Sequence, residues 1–125
     1  GRTLGEELLE PHRCYYPALK PLLPLIKGMA HITGGGLVGN LPRILPQGLA
    51  ARLEPGAWAV PPIFPLIQSQ GNVSEKEMYR VFNMGIGMAV VCSPGDVPEL
   101  VRALPGARVI GEVVEQRGKE RVIID

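Results

Sequence analysis

Short apolar runs bounded by glycine and proline alternate along the chain with segments whose apolar residues recur at helical spacing. Apolar runs of this length are typical of buried strands. They predict strands at residues 12–16, 29–33, 48–53, 84–92, 108–115 and 120–124. The last two alternate polar and apolar positions around Arg117 and Gly118, so we expect them to pair as an antiparallel hairpin.

Helical periodicity is clearest where Leu37, Leu41, Ile44 and Leu45 fall on one face. Pro42 lies within this segment and predicts a kink or a late start, because proline is tolerated only near the beginning of a helix. The other predicted helices are residues 4–9, 18–26, 63–70, 75–82 and 96–104. We expect the helix at 18–26 to be short or broken because two prolines interrupt it.

Helices and strands follow one another without strict alternation, and the chain shows no internal repeat. This order predicts an α+β fold in which helices cover a sheet. A length of 125 residues suits one domain spanning residues 1–125. Because the first residue is Gly1 rather than Met, we expect the chain to be a fragment or a processed product of a longer protein.

Charge and composition exclude several classes of function. Thirteen basic residues against twelve acidic ones give a net charge of +1, which argues against a nucleic-acid partner. No apolar run approaches the roughly 18 residues that a membrane span needs. Cys14 and Cys92 form neither a disulfide framework nor a metal-ligand spacing, so no metal site is expected and a reducing cytoplasm fits best.

A triple glycine joins a predicted strand to a predicted helix and forms the first candidate motif. Glycines allow positive φ and close approach of a ligand to the backbone, and amides at a helix start attract anions. A nearby histidine titrates near neutral pH, and an arginine can clamp an oxyanion. The candidate residues are His31, Thr33, Gly34, Gly35, Gly36, Asn40 and Arg43. The alternative is a tight turn without a ligand, and the motif lacks the Lys-Ser/Thr of a P-loop.

Asn83 marks a second candidate motif, between a predicted helix and a predicted strand. Gly85 and Gly87 follow it and expose bare backbone that suits close approach by a ligand or by another segment. The simpler interpretation is that Asn83 ends the helix as a C-cap and that the glycines serve packing. Met78, Met84 and Met88 are expected in the core.

Four further side chains have weaker functional patterns. Trp58 is expected to anchor packing, and Cys92 to be an inert buried thiol. His12 and Cys14 lie two residues apart and could act as a base and a nucleophile, but no third group supports that interpretation.

Several runs, taken together, resemble the phosphoribosylformylglycinamidine cyclo-ligases, or AIR synthetases, of purine biosynthesis. The strongest is residues 30–37, AHITGGGL, followed by NLPR at 40–43 and LP at 45–46. Similar runs are LGEELLEP at 4–11, VPPIF at 60–64 and MYRVFNMGIGM at 78–88. They cover nearly the whole chain in order, which makes the combination specific.

The resemblance implies a fold, a reaction and partners. The fold would be a three-layer α/β/α domain with a mixed sheet, partly ferredoxin-like. The domain would be the C-terminal one of a longer cytoplasmic homodimer whose N-terminal half, absent here, binds most of the ATP and Mg²⁺. That enzyme converts formylglycinamidine ribonucleotide and ATP to aminoimidazole ribonucleotide, ADP and phosphate. The 125-residue chain alone is expected to be inactive.

The resemblance also suggests roles for the candidate residues. His31 would handle or orient a proton, while Thr33 and the three glycines would donate hydrogen bonds to an anion. Asn40, Arg43 and Asn83 would position the substrate.

Two departures concern fine contacts. Residues 12–16 read His-Arg-Cys-Tyr-Tyr where Thr-Arg-Ile-Tyr is expected, and Gly39 stands where the family often has Glu. The alternatives are another member of the same ATP-dependent superfamily, or a non-catalytic anion-binding or interaction module if the natural chain starts at Gly1.

Overall fold

Glycine and proline divide the chain into short elements, as the sequence predicts. The computed structural model describes residues 1–125 and confirms an α+β fold. The helices are α1 (Leu4–Leu8), α2 (Tyr16–Leu19), α3 (Gly36–Asn40), α4 (Ile63–Gly71), α5 (Glu75–Val81) and α6 (Val97–Ala103). The strands are β1 (Ile26–His31), β2 (Leu49–Leu53), β3 (Met88–Cys92), β4 (Gly111–Glu115) and β5 (Val122–Ile124). Short 3₁₀ turns occupy Lys20–Leu25, Leu41–Arg43, Pro55–Ala57 and Pro94–Asp96.

The five strands form two sheets. Strands β1 and β3 pair antiparallel, with Ala30 opposite Ala89 and His31 opposite Met88. Strand β2 is the centre of a mixed three-stranded sheet, antiparallel to β4 and parallel to β5. Its residues Ala50, Ala51 and Leu53 are buried, as expected of a central strand.

The predicted hairpin between the last two strands is wrong, because β4 and β5 lie on opposite sides of β2. Gly111 places the start of β4 so close to β2 that a Cβ there would overlap the carbonyl of Arg52. Ahead of β5, the Arg121 guanidinium donates to the carbonyls of Leu45, Pro46 and Leu49. These contacts fix both strands against β2 instead of against each other.

Among the predicted helices, the structure has α1, α4, α5 and α6 where the sequence predicts them. Segment 18–26 is broken, with α2 followed by a 3₁₀ turn. Pro42 lies in the 3₁₀ turn that follows α3, so the predicted kink is a change of helix type. Ser74 caps α5 by accepting from the amide of Glu77. The leucines of α1, by contrast, remain exposed.

Three predicted strand boundaries are corrected. Residues 12–16 are not a strand, because α2 begins at Tyr16 and has Pro17 in its first turn. Strand β1 covers Ile26–His31 instead of residues 29–33. Strand β3 begins at Met88 instead of residue 84, because Met84 and Gly85 have φ of 53° and 95°, outside the extended region.

A core of 13 buried hydrophobic residues joins the two sheets to α3 and α5. Ile32, Leu37 and Met78 are the largest side chains that are completely buried. Burying a side chain of this size stabilises the fold by about 1.5–3 kcal/mol. Trp58 and Met84 also belong to this core, which confirms the packing roles predicted for them. Met88 is only half-buried in β3 and lies outside the core, so its predicted place there is wrong.

No helix has the length and apolar character needed to cross a membrane.

We predict that Trp58→Phe lowers the free energy of unfolding by about 1–3 kcal/mol. Trp58 is 8% exposed, and its indole N–H donates to the Met84 carbonyl at 3.0 Å. The replacement leaves that carbonyl without its donor and opens a small cavity. Urea unfolding measures the change, with Tyr16→Phe as the matched control because Tyr16 is exposed. Equal midpoints for the two variants would contradict the prediction.

Candidate functional site

The triple-glycine loop is a tight turn built on left-handed backbone. Gly35 and Gly36 have φ of 98° and 60°, and the amide of Gly36 donates to the Thr33 carbonyl at 3.0 Å. Two consecutive left-handed residues explain why glycine is needed there. Thr33 and Gly34 remain exposed at the outer edge of the turn.

Gly36 is required by packing as well as by backbone conformation. It is buried where α3 meets α5, and a Cβ there would overlap the carbonyl oxygen of Tyr79 and lie 2.5 Å from that of Phe82. Any side chain would push the two helices apart. Gly36 therefore lies beneath the loop and faces the protein interior.

Asn40 holds the loop from within. Its side chain is buried, with 3% exposure, and its Nδ2 group donates to the carbonyls of Thr33, Gly34 and Gly36 at 3.3, 3.3 and 2.8 Å. These bonds tie the loop to α3, and the one to the Gly36 carbonyl is made in the buried interior. The contacts give Asn40 a structural role, and its contact with a ligand stays a prediction.

The anion site predicted at the start of the following helix has little support from the helix itself. Helix α3 has five residues, too few for a substantial macrodipole. Any hydrogen bonds to an anion at this loop would come from the Thr33 hydroxyl and the exposed loop backbone.

Asn83 shapes the second loop through its side-chain oxygen. Its Oδ1 accepts from the amide of Gly85 at 2.9 Å, which leaves the Nδ2 group available to the groove beside it. The C-cap interpretation is wrong by one residue, because α5 ends at Val81 and Phe82 is its cap. Met84, not Asn83, adopts the left-handed conformation.

Two adjacent grooves meet at Asn83. The larger, of about 400 Å³, lies among residues 7–15, α4 and the loop after α5. The smaller, of about 210 Å³, is lined by Thr33, Gly34 and Asn83. Both share the apolar wall of Phe64 and Phe82, whose ring centroids are 5.8 Å apart. An apolar wall with a few converging polar groups is typical of small-molecule sites.

His31 contacts a histidine that the sequence analysis did not connect with it. The Nε2 atoms of His31 and His12 are 2.7 Å apart, and the two rings cross at 60°. His12 lines the larger groove, and the residues directly after His31 line the smaller one. The two histidines are 19 positions apart, and no periodicity relates them. The only sign of this contact in the sequence is that residue 12 is His where the resemblance leads us to expect Thr.

Arg43 lies apart from the other candidate residues. It is exposed on the 3₁₀ turn after α3 and lines neither groove. The structure therefore brings Thr33, Gly34 and Asn83 together at the smaller groove. His31 lines neither groove itself, but it contacts His12, which lines the larger one. Gly36 and Asn40 lie beneath the loop.

Charged groups around the grooves are exposed and partly paired. Arg2 forms ion pairs with Glu7 and Glu10, whose side chains line the larger groove. Beneath the smaller groove, burial raises the pKa of the Tyr79 phenol, and the charge of Glu75 adds to the effect. No group of three or more His, Cys, Asp or Glu side chains could hold a metal ion. This chain therefore offers no cluster that could hold a metal ion with side chains alone.

Gly36→Ala is predicted to lower the free energy of unfolding by at least about 3 kcal/mol, from backbone strain together with overpacking. The matched control is Gly39→Ala in the same helix, where a Cβ would meet nothing within 4 Å. That control should be neutral or stabilising by up to about 1 kcal/mol. Urea unfolding of both variants measures the difference. A Gly36→Ala protein as stable as its control would refute the packing argument.

The two thiols should differ in reactivity. Burial raises the pKa of the Cys92 thiol, with the charge of Asp96 adding, whereas Cys14 is exposed. Only the thiolate reacts with disulfide reagents. We predict that Cys14 is modified at least about tenfold faster at neutral pH. The rate at Cys92 should rise further as the pH is raised above the ordinary range for a thiol.

Stopped-flow modification of Cys14→Ser and Cys92→Ser assigns the two phases. Cys14→Ser should keep only the slow phase and Cys92→Ser only the fast one. Equal rates at neutral pH would contradict the prediction.

Comparison with known proteins places these features in a family. Residues 1–124 match the model of the AIR synthase related protein, C-terminal domain. The chain is 50% identical over 123 residues to a phosphoribosylformylglycinamidine cyclo-ligase of Thermoanaerobacter sp. (strain X514), covering 94% of the chain and 37% of that relative. It is 51% identical over 121 residues to one of Geobacillus thermodenitrificans, covering 92% and 35%.

The cyclo-ligase of Bacillus cereus (strain G9842) is 48% identical over 124 residues, covering 92% of the chain and 35% of that relative. The chain thus spans little more than a third of the length of these curated relatives. The match confirms the resemblance that the sequence motifs indicate. The chain belongs to the AIR synthase related family and corresponds to its C-terminal domain.

Proposed function

We propose that this chain is the C-terminal domain of an ATP-dependent cyclo-ligase of purine biosynthesis. The reaction would convert formylglycinamidine ribonucleotide and ATP to aminoimidazole ribonucleotide, ADP and phosphate. The observation that carries the proposal is the identity of about half of all positions, over nearly the whole chain, to proteins named as cyclo-ligases. The two adjacent grooves support it, because Thr33 and Asn83 line the smaller one and His12, the contact of His31, lines the larger one.

The ring closure defines what these groups would have to do. ATP would supply the phosphoryl group that makes the formyl oxygen a leaving group. A nitrogen of the amidine then attacks the formyl carbon and forms the new C–N bond. The bond between that carbon and the phosphorylated oxygen breaks, and phosphate leaves with the oxygen. The attacking nitrogen loses a proton in this sequence, so a base within hydrogen-bond reach accelerates it.

His31 is proposed as that base, because an imidazole can accept a proton near neutral pH. The Thr33 hydroxyl, the backbone of Gly34 and Gly35, and the Asn83 amide are proposed to hold an anionic group of the substrate in the smaller groove. Thr33, Gly34 and Asn83 line that groove together with Phe64 and Phe82. An anchor of this kind holds the reacting atoms at short range and lowers the entropic part of the barrier.

Other candidate residues support the site indirectly. Gly36 and Asn40 are proposed to keep the loop in the shape that the anchor needs, through the packing and hydrogen bonds described above. Arg43 is proposed to act at the outer surface, on a part of the substrate that extends beyond the grooves.

Several further properties are proposed from the relatives. ATP and Mg²⁺ would be bound mainly by the part of the protein that corresponds to the remaining length of the relatives, since this chain has no fitting set of metal ligands. The complete protein would be a cytoplasmic homodimer. The two sheets and their helices would form a three-layer α/β/α arrangement, partly ferredoxin-like, within it.

The test replaces the matched segment of the Thermoanaerobacter cyclo-ligase with Gly1–Asp125 and measures aminoimidazole ribonucleotide by diazo coupling, together with ADP. We expect kcat within about tenfold of the unmodified relative, since half of the positions are identical. His31→Ala in this graft should lower kcat by about 100-fold to 10,000-fold, the usual contribution of a general base.

Arg117→Ala is the control, because Arg117 is exposed and far along the chain from the candidate motifs. It should leave kcat and KM unchanged. A graft that folds and binds ATP but forms no product would overturn the catalytic assignment and favour an anion-binding module. Unchanged kcat and KM in His31→Ala would remove His31 from the mechanism.

A further inference from the structure

The contact between His12 and His31 determines which ring nitrogen of each histidine carries a proton. Both rings approach through Nε2, at 2.7 Å, so a hydrogen bond between them has one Nε2–H donor and one bare Nε2 acceptor. A neutral acceptor ring must then carry its proton on Nδ1. A neutral donor ring has a free lone pair on Nδ1. The pair therefore fixes opposite tautomers in the two rings.

The backbone holds His31 in place. It is the last residue of β1, opposite Met88 in β3, and the next amide, of Ile32, donates to the carbonyl of Gly87 at 2.9 Å. These bonds fix the His31 backbone at the end of the strand. Its Nε2 points at the lead-in segment, the 11–15 stretch that precedes α2.

The lead-in is held against the same loop by Tyr15. A Cβ at Gly87 would overlap the phenol oxygen of Tyr15, so the tyrosine ring lies directly on bare backbone. The Tyr15 ring also packs edge-on against His12, with the ring centres 5.9 Å apart. The Arg13 guanidinium lies over the same Tyr15 ring, 5.6 Å from its centre. Through this docking, Gly87 helps to bring His12 to His31.

We propose that His12 is a positioning residue for His31: it accepts a hydrogen bond from His31 Nε2–H and so leaves His31 Nδ1 as the basic nitrogen. The role rests on the proposed function, in which His31 takes a proton. The direction follows from that chemistry. When Nδ1 of His31 gains a proton, its Nε2–H still donates to His12, and the bond is strengthened by the charge. With the opposite direction, the incoming proton would have to displace the hydrogen bond.

The first test reads the tautomers directly. Two-bond ¹H–¹⁵N correlation spectra of Gly1–Asp125, at a pH where both rings are neutral, should show His31 protonated on Nε2 and His12 protonated on Nδ1. His12→Phe should abolish the single tautomer of His31, whereas His12→Gln should keep it, because the amide oxygen can accept the same bond. Cys14→Ser, an exposed change in the same segment, should alter neither ring.

Two spectroscopic results would overturn the proposal. One is a His12 ring protonated on Nε2 in the unchanged protein. The other is a His31 spectrum that does not respond to His12→Phe. A loss of the lead-in fold in His12→Phe would be recognised in the amide spectrum, and the Gln variant then decides.

The second test measures catalysis in the graft described above. His12→Phe should lower kcat about tenfold or more with KM within about twofold, as expected when a partner that orients a working group is lost. His12→Gln should recover most of the loss, which a merely structural effect would not produce. An active graft whose kcat is unchanged by His12→Phe would refute the positioning role while leaving the proposed function intact. An inactive graft with the expected tautomers would refute the function while leaving the pairing intact.

Discussion

The close approach of α3 to α5 is the constraint on which the candidate site depends. Gly36 lies against the carbonyls of Tyr79 and Phe82, where no side chain fits. This contact determines where the glycine loop and the end of α5 lie relative to each other. Since the loop carries Thr33 and the end of α5 leads to Asn83, the smaller groove exists because two backbones touch beneath it.

Both loops take their shape from a glycine and an asparagine that act together. In the first loop, Gly36 permits the left-handed turn while Asn40 satisfies its carbonyls from below. In the second, Asn83 holds the amide of Gly85 while Met84 takes the left-handed conformation that glycine or asparagine would adopt more readily. Trp58 donates to the Met84 carbonyl, and this buried bond helps the strained residue to keep its conformation.

Local patterns predicted the elements well and their partners poorly. Periodicity and capping located α4, α5 and α6, since both signals are contained in a few consecutive residues. The pairing with β2 depends on Gly111 for β4 and, for β5, on Arg121 reaching three carbonyls more than seventy positions away. Alternation carries no information on such contacts. The candidate site shows the same division.

The glycine motif was visible in the sequence, whereas the contact of His12 with His31 depends on where Tyr15 docks the lead-in. That dependence has a consequence for how the site would work. The backbone of His31 is fixed by a sheet, whereas His12 lies in the 11–15 lead-in, which has no regular structure. The lead-in follows α1, whose leucines remain exposed. If another surface covered those leucines, it would hold the lead-in more firmly. His12, which is proposed to accept the hydrogen bond from His31, would then be held more firmly as well. The chemistry of the grooves would in this way depend on contacts made outside them.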